Sequence, residues 1–326
     1  MPELPEIEIV KRSLFKIVNK AKIIGIKIYN KNLRYKIPNT FSKELVGEKI
    51  LKISRRSKYL IFHFKKKILI GHFGMSGKIL VKRSKDSKIF KTSFYYNLNI
   101  LNKHNHIYFF LNNGFVLIYN DVRRFGFFKI FNSNKINNIK FIKKLGLEPF
   151  SSLFNLRYFK YSIKNKKKNI KNLMMDQTFV SGLGNIYVNE ALFMSNIHPL
   201  RLCNSLNNKE IKKLISNVKK ILLLSISKGG SSIKNFSNTS GKSGNFQQLF
   251  KVYGMVGKAC SRISCKGRIK KINISNRSSF YCNICQNYNG IDRDESKRYK
   301  LSTLCQIQNL QLEEPRKPKY KQLLIK

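Results

Sequence analysis

Four cysteines constrain this chain more than any other feature. They fall as two close pairs, Cys260-x4-Cys265 and Cys282-x2-Cys285, with sixteen residues between them. Two thiolate pairs joined by a short ribbon can surround one tetrahedral Zn²⁺. The intervening segment alternates polar and apolar around Ile269, Ile272 and Ile274, which predicts a β-hairpin. The alternative is four buried free thiols. A zinc ribbon by itself says nothing about catalysis, since most are structural. Cys203 and Cys305 stand alone and are expected to be unpaired. This usage suits a reducing compartment and metal binding better than a disulfide framework.

With 326 residues, 42% of them hydrophobic, the chain is long enough for two domains plus this small module. A formal charge of +49 points to a polyanionic partner, nucleic acid foremost. Part of that charge reflects a composition crowded with Lys, Asn and Ile, the residues favoured by AT-rich coding sequence. Charge alone leaves DNA, RNA and the ribosome nearly level. No run of about 18 apolar residues marks a membrane span. Nor does the start carry the apolar stretch of a secretory signal, so a cytoplasmic, nucleoid-associated protein is expected.

Hydrophobic period divides the chain. Ile7, Val10, Leu14 and Ile17 form one apolar helical face. Residues 22–130 then read as β, with strands at Lys22–Tyr29, Tyr59–Phe64, Lys67–Ile70, His106–Leu111 and Phe115–Tyr119. Asn112-Asn113-Gly114 reads as a hairpin turn between the last two. The polar stretch 82–103 reads as a loop. Several such strands imply a sandwich or barrel. Beyond Leu145-Gly146-Leu147-Glu148-Pro149 the pattern turns helical, with candidate helices Ile170–Thr178, Asn185–Ser195 and Asn208–Ser227, the last stopped by Gly229-Gly230. Residues 229–250 read as a mobile loop. The expected organisation is an α+β chain: a β domain over 1–145, a linker over 146–160, a helical domain over 161–250, the ribbon over 251–289, and a basic, disordered tail over 290–326.

The first six residues, Met1-Pro2-Glu3-Leu4-Pro5-Glu6, carry a chemical suggestion. Removal of Met1 leaves Pro2 as a free secondary amine, which can attack a sugar aldehyde carbon and form an iminium. Glu3 beside it is a candidate acid/base. The positive end of the following helix disfavours adding a proton to the amine, which keeps it nucleophilic. The plain alternative is a start codon before a Pro-capped helix.

Further segments invite two readings each. Gly182-Leu183-Gly184 before Asn185 exposes backbone N–H groups that can hold a phosphate, or is a simple interhelical turn. His72-Phe73-Gly74-Met75-Ser76-Gly77 and Asp121-Val122-Arg123-Arg124-Phe125-Gly126 put apolar side chains beside glycines and arginines. An apolar wedge with Arg fills the space left when a base leaves a duplex; read alone, Met75 and Phe125 are core residues. Lys58, after Arg55-Arg56-Ser57, reads alone as a solvated lysine.

Taken together these segments resemble the bacterial formamidopyrimidine-DNA glycosylase family. The matching elements run in family order over residues 1–288: Met1–Glu6, Arg56–Leu60, His72–Gly77, Lys103–His106, Arg123–Gly126, Leu145–Pro149, Ile170-Lys171 with Asp176-Gln177, Gly184–Glu190, Val252–Gly254 and Arg277–Cys285. Leu4 fits this branch better than the endonuclease VIII branch. The resemblance implies an N-terminal β-sandwich, a helix–two-turn–helix domain and a zinc ribbon, with DNA crossing the cleft. It also implies a monomer that removes 8-oxoguanine and formamidopyrimidines from double-stranded DNA, acts on abasic sites, and cuts the strand.

By position, the resemblance makes Pro2 the Schiff-base nucleophile and Glu3 the proton donor. Lys58 serves β-elimination and Arg277 δ-elimination. His104, Arg123, Lys167, Asn185 and Arg277 contact DNA; Met75, Arg123 and Phe125 fill the void; Cys260, Cys265, Cys282 and Cys285 hold one structural Zn²⁺. The x4 spacing of the first cysteine pair departs from the family's usual x2, and Val122 stands where Pro is usual. The Lys-rich run before Ile170 is one residue short, which leaves Lys167 and Lys168 both eligible. The rival readings are an endonuclease VIII-like enzyme for oxidised pyrimidines, a non-catalytic DNA-binding relative, and a basic RNA-binding zinc protein.

Overall fold

The computed structural model describes residues 2–83, 89–90, 101–231 and 246–288. The tail beyond 288, with Cys305, lies outside them. Helix α1 (Leu4–Val18) is followed by β1 (Ile23–Ile28), α2 (Phe41–Leu45), β2 (Lys52–Arg56), β3 (Tyr59–His63), β4 (Lys67–His72), β5 (Lys78–Arg83), β6 (Ile89–Phe90), β7 (Asn105–Leu111), β8 (Phe115–Asn120) and β9 (Phe127–Asn132). These strands form two antiparallel sheets, in the orders β1-β7-β8-β5-β6 and β2-β3-β4-β9.

Alternation along the strands decides where the main core lies. Ile23, Leu60, Phe62, Leu69, Ile79, Val81, Ile107, Phe109, Leu117, Tyr119 and Phe128 turn inward from both sheets. Ile7, Val10, Leu14 and Val18 of α1 join the same core. Burying each such side chain contributes about 1.5–3 kcal/mol, so the helix start is held by its own apolar face. A smaller cluster, Ile61, Ile68 and Ile70, covers the other face of the second sheet against Ile139 and Ile142, the latter in α3 (Lys140–Lys143).

The second core is helical and is built from α4 (Leu156–Ile163), α5 (Ile170–Met175), α6 (Asn185–Ser195) and α7 (Asn208–Ser227). Helix α6 is buried on every side, with Ile186 to Phe193 and Ser195 all inside. Asn207 and Glu210 form a reciprocal capping box that starts α7. The ribbon hairpin is β10 (Ile269–Ile274) and β11 (Arg277–Cys282), in register from Ile269↔Cys282 to Ile274↔Arg277. Its turn residues Ser275 and Asn276 both have positive φ, as a two-residue hairpin turn of this twist demands.

Three expectations need correction. Helix α5 ends at Met175, not Thr178. Asp176 instead accepts Thr178 N–H and Oγ1–H, and the Gln177 amide bonds Gly182 N–H and Leu183 O, so side chains curl the backbone out of the helix. Within the presumed loop 82–103, β5 continues to Arg83 and residues 89–90 pair with it; residues 84–88 and 91–100 lie outside the description. Within 229–250, residues 246–249 form a 3-10 turn anchored by fully buried Phe246, which a loop reading cannot see. Residues 232–245 are likewise outside the description.

Candidate active site and metal centre

The chain's start is bound into the helical core. Leu4 N–H donates to Gly182 O at 3.0 Å, and Pro2 and Glu3 are both buried. Glu3 Oε1 accepts Ile186 N–H at 3.0 Å, at the N-terminus of α6. The approach is possible because residue 184 is glycine: a Cβ there would lie 2.3 Å from Glu3 Cδ. So the Ile186 N–H of this helix start is taken by the chain's own carboxyl rather than left for a phosphate. Oε2 of Glu3 is buried with no hydrogen-bond partner among the described residues.

Burial dominates the titration of this carboxyl and raises it to about 7, against the pull of Lys58 and the Ile186 N–H. A carboxyl held there carries its proton in a large fraction of molecules at neutral pH, the state a general acid needs. Burial drives Lys58 the other way, lowering its pKa, with Arg277 adding to the effect and Glu3 opposing it. Glu3 and Arg277, both far from Lys58 in sequence, are thus each close enough for Lys58 to feel their charge. Three separate elements supply these candidate residues: the start of α1, the β2–β3 turn and the ribbon.

Each partner has a rigid mount. Lys58 follows Ser57, whose φ of 55° closes the two-residue β2–β3 turn. Ser57 N–H donates to Glu148 Oε1 at 2.6 Å, and Glu148 also pairs with Arg55 at 2.9 Å and Arg56 at 3.0 Å. Arg56 continues to Ser181 Oγ and Gly146 O, while Arg55 reaches Glu8 of α1. Behind Glu3, Glu6 Oε2 accepts the Glu3 N–H at 2.8 Å. Glu6 Oε1 accepts from Tyr187 OH, Ser231 N–H and Ser231 Oγ. Glu148, Glu6, Tyr187 and Ser231 were not singled out in the sequence. Glu6, Glu148 and Tyr187 fall in segments that the sequence marks and Ser231 does not, and their partners are too distant along the chain for any local signal.

Arg277 opens β11 and is exposed. The backbone behind it is fastened by Lys171, whose buried ammonium donates to Ser278 O at 3.1 Å and Ser279 Oγ at 2.5 Å. Burial, with Arg277 nearby, lowers Lys171 to about 8. Asn185 Nδ2 donates to Ser278 O at 2.9 Å, and Asn189 Oδ1 accepts Phe280 N–H at 2.8 Å. Asn185 therefore lies beside both the helix start and the ribbon.

Met75, Arg123 and Phe125 are brought together in the lining of a cleft of about 710 Å³, which Asn32, Arg34, His72, Gly74 and Arg124 also line. Met75 and Phe125 are 43% and 46% exposed, which excludes the core reading for both. The Arg123 guanidinium sits 4.6 Å from the Phe125 ring centroid, a contact contributing about 0.5–1 kcal/mol at an exposed site. Buried Asp121 shapes this lining by accepting from Ser76 Oγ, Tyr119 OH, Gly126 N–H and Arg123 N–H at 2.5–3.3 Å. His72 connects the lining to the Lys58 side; burial, then the charge of Lys58, lowers it to about 4. His104 is half-buried, and its carbonyl accepts Asp121 N–H at 3.0 Å. Lys167 is exposed, away from these contacts, while Lys168 pairs with Asp176 at 3.2 Å.

The four cysteine sulfurs lie within 4.8 Å of one another, with Cys260–Cys285 at 3.8 Å and Cys265–Cys282 at 3.6 Å. A tetrahedral ion with metal–sulfur bonds near 2.3 Å needs edges of about 3.8 Å, so the donor set fits a tetrahedral metal. Gly267 makes room, since a Cβ there would lie 2.5 Å from Cys282 Sγ. Cys203 is buried elsewhere, its thiol donating to Lys166 O.

Comparison with known proteins matches residues 1–128 to the formamidopyrimidine-DNA glycosylase N-terminal domain and 145–237 to the formamidopyrimidine-DNA glycosylase H2TH domain. The formamidopyrimidine-DNA glycosylase of Bartonella tribocorum is 40% identical over 297 residues, covering 88% of this chain and 100% of the relative. That of Rickettsia africae is 41% identical over 292 residues, covering 88% and 99%. Among solved structures, a Lactococcus lactis mutant of this enzyme in complex with Fapy-dG-containing DNA is 35% identical, with a TM-score of 0.77 over 88% of this chain and all of that one. The L. lactis enzyme with abasic-site DNA is 34% identical, with a TM-score of 0.75 over the same shares.

Proposed function

The chain belongs to the formamidopyrimidine-DNA glycosylase family, and from that premise we propose a base-excision repair enzyme that excises oxidised purines from duplex DNA and cleaves the resulting abasic site. The observation that carries the reading is the buried Glu3 carboxyl, raised to about 7, on the residue next to Pro2.

In the proposed reaction Met1 is removed and the Pro2 nitrogen attacks C1′ of the extruded nucleotide. Glu3 delivers its proton to the opening ring oxygen as the base departs. The resulting iminium acidifies the C2′ proton. Loss of that proton drives β-elimination of the 3′ phosphate, and δ-elimination then releases the 5′ phosphate. Lys58, with its ammonium destabilised by burial, is suited to take part in proton transfer during the first elimination. Arg277 steadies phosphate charge in the second. No cofactor enters this chemistry, because the amine supplies the electron sink.

Met75, Arg123 and Phe125 would occupy the gap left by the extruded base, offsetting part of an unstacking cost of a few kcal/mol. His104, Lys167 and Asn185 would hold phosphates, which position the duplex without reading its sequence. The metal held by Cys260, Cys265, Cys282 and Cys285 is proposed to be one structural Zn²⁺. No helix among the described residues is long and apolar enough to cross a membrane; a monomer acting on nucleoid DNA in the cytoplasm completes the proposal.

Borohydride reduction in the presence of 8-oxoguanine duplex tests the reading. A covalent enzyme–DNA adduct at Pro2 is the expected product; its absence from zinc-loaded protein favours the non-catalytic relative. Excision of 8-oxoguanine opposite C, measured against thymine glycol, separates the purine enzyme from the endonuclease VIII-like reading.

A further inference from the structure

The long cysteine knuckle is tied down by a contact that no part of the proposed reaction uses. Between Cys260 and Cys265 stand Ser261, Arg262, Ile263 and Ser264. Arg262 folds back onto α6: its Nη2 donates to Phe193 O at 2.7 Å, and its guanidinium carbon lies 4.8 Å from the Phe193 ring centroid. Cys265 N–H closes on Arg262 O at 3.0 Å, so the arginine's backbone is part of the metal loop itself.

Phe193 is a meaningful anchor. It is 3% exposed and packs in one cluster with Val252, Cys260, Ile269, Phe280 and Cys282. Its carbonyl lies in the last turn of α6, where Asn196, in the left-handed conformation, closes the helix with its N–H on the same oxygen. A guanidinium there meets the negative end of the helix and the face of an aromatic ring at once. Lys171, Asn185 and Asn189 fasten the Arg277 end of the ribbon. At the metal end, ties to this helix end among the described residues include Arg262 and Gln286, whose Nε2 donates to Ile197 O at 2.8 Å while its Oε1 accepts Cys282 N–H.

We propose that Arg262 is a positioning residue: it seats the enlarged Cys260–Cys265 knuckle on the C-terminal end of α6, and so holds the ribbon, and Arg277 on it, in the orientation that grips DNA. The inference toward DNA rests on the function proposed above; the inference toward the metal does not. A loop of four residues between ligands has more freedom than a tight knuckle, and a half-buried arginine bonded to Phe193 O restrains it. A group that hydrogen-bonds a metal ligand is worth roughly 10–100-fold in metal affinity; Arg262 holds the ligand loop rather than a sulfur, which puts its expected effect at the lower end of that range.

The test uses full-length, zinc-loaded protein with Arg262→Ala and Arg262→Lys. Zinc transfer to a chromophoric chelator reads the metal arm. Abasic-analogue DNA affinity and single-turnover excision at saturating 8-oxoguanine duplex read the other. The expected result for Ala is zinc affinity lower by about tenfold or more, weaker abasic-analogue DNA binding, and a single-turnover excision rate at saturating duplex within about twofold of the parent once zinc is saturating. Lys, which keeps charge and reach but loses the planar stack, is expected between the two; if Ala does not fold, Lys alone carries the test. Wild-type zinc retention in the folded variants overturns the proposal. Weakened zinc retention with unchanged DNA affinity overturns its DNA half. A protein that neither excises nor traps, yet releases zinc faster as Ala or Lys, refutes the proposed function and leaves the seating role standing.

Discussion

Glu3 Oε1 accepts the backbone N–H of Ile186, 183 residues away in sequence, at 3.0 Å. The candidate acid of the first turn of the chain is thereby fixed against a helix of the other core.

Titration of that acid has a defined sign. Burial raises Glu3 from 4.5 to about 7, so the folded state holds a proton that the unfolded chain has released. Its protonated form costs folding nothing below pH 4.5; stability declines as pH rises from 4.5 through about 7 and is level beyond. Glu3→Gln is expected to remove this loss, so its stability advantage in urea unfolding grows over that window and then stays constant. Single-turnover base excision by the parent is expected to fall above pH 7 for want of the same proton. A parent and a Gln variant with parallel stability profiles would show that Glu3 titrates normally.

Gly184→Ala should displace the acid without touching the metal. The new Cβ would lie 2.3 Å from Glu3 Cδ, a distance that forces either Glu3 or the start of α6 to move. Excision is expected to drop by about 100-fold or more, the order lost when a positioned acid is removed, while metal content is unchanged. Full activity would mean that Glu3 works equally well elsewhere.

Glu148→Gln should act on Lys58 at a distance. Glu148 accepts Ser57 N–H and pairs with Arg55 and Arg56, so its charge sets the turn that carries Lys58. Loss of a partly buried, charge-assisted contact costs about 1.5–3 kcal/mol. Strand cleavage at a preformed abasic site is expected to slow more than glycosidic cleavage does. Equal slowing of both steps, measured by product gels against base release, would assign Glu148 to general stability alone.

Metal removal should disable binding before it unfolds the larger cores. The cysteine cluster belongs to a separate apolar group around Phe193, Val252, Ile269 and Phe280. Chelation is expected to abolish abasic-analogue binding while far-UV circular dichroism retains most of its helical signal. Loss of that signal together with binding would show that the ribbon is needed for folding of the helical core.

Helices α6 and α7 were legible in the sequence to the residue, because Gly182 and Gly184 before α6 and Gly229-Gly230 after α7 are local signals. Strand β2 was not, since Lys52–Arg56 is mostly polar and its arginines point to Glu8, Glu148 and Ser181 rather than to water. Phe246 escaped notice because one buried ring among polar neighbours has no period. For the candidate site, the chemistry-bearing side chains stood in short motifs, but the groups that aim them did not. Glu6 meets Ser231 across 225 residues and Asn185 meets Ser278 across 93, and such pairings exist only once the chain has folded.

Helix α6 is sheathed on all sides, and this has a mechanical outcome. Its first turn grips the acid, its middle grips β11 through Asn189, and its last turn grips the cysteine loop through Phe193. A twist or slide of this rod would move all three attachments together, so a displacement of the ribbon is expected to be felt at Glu3 as well.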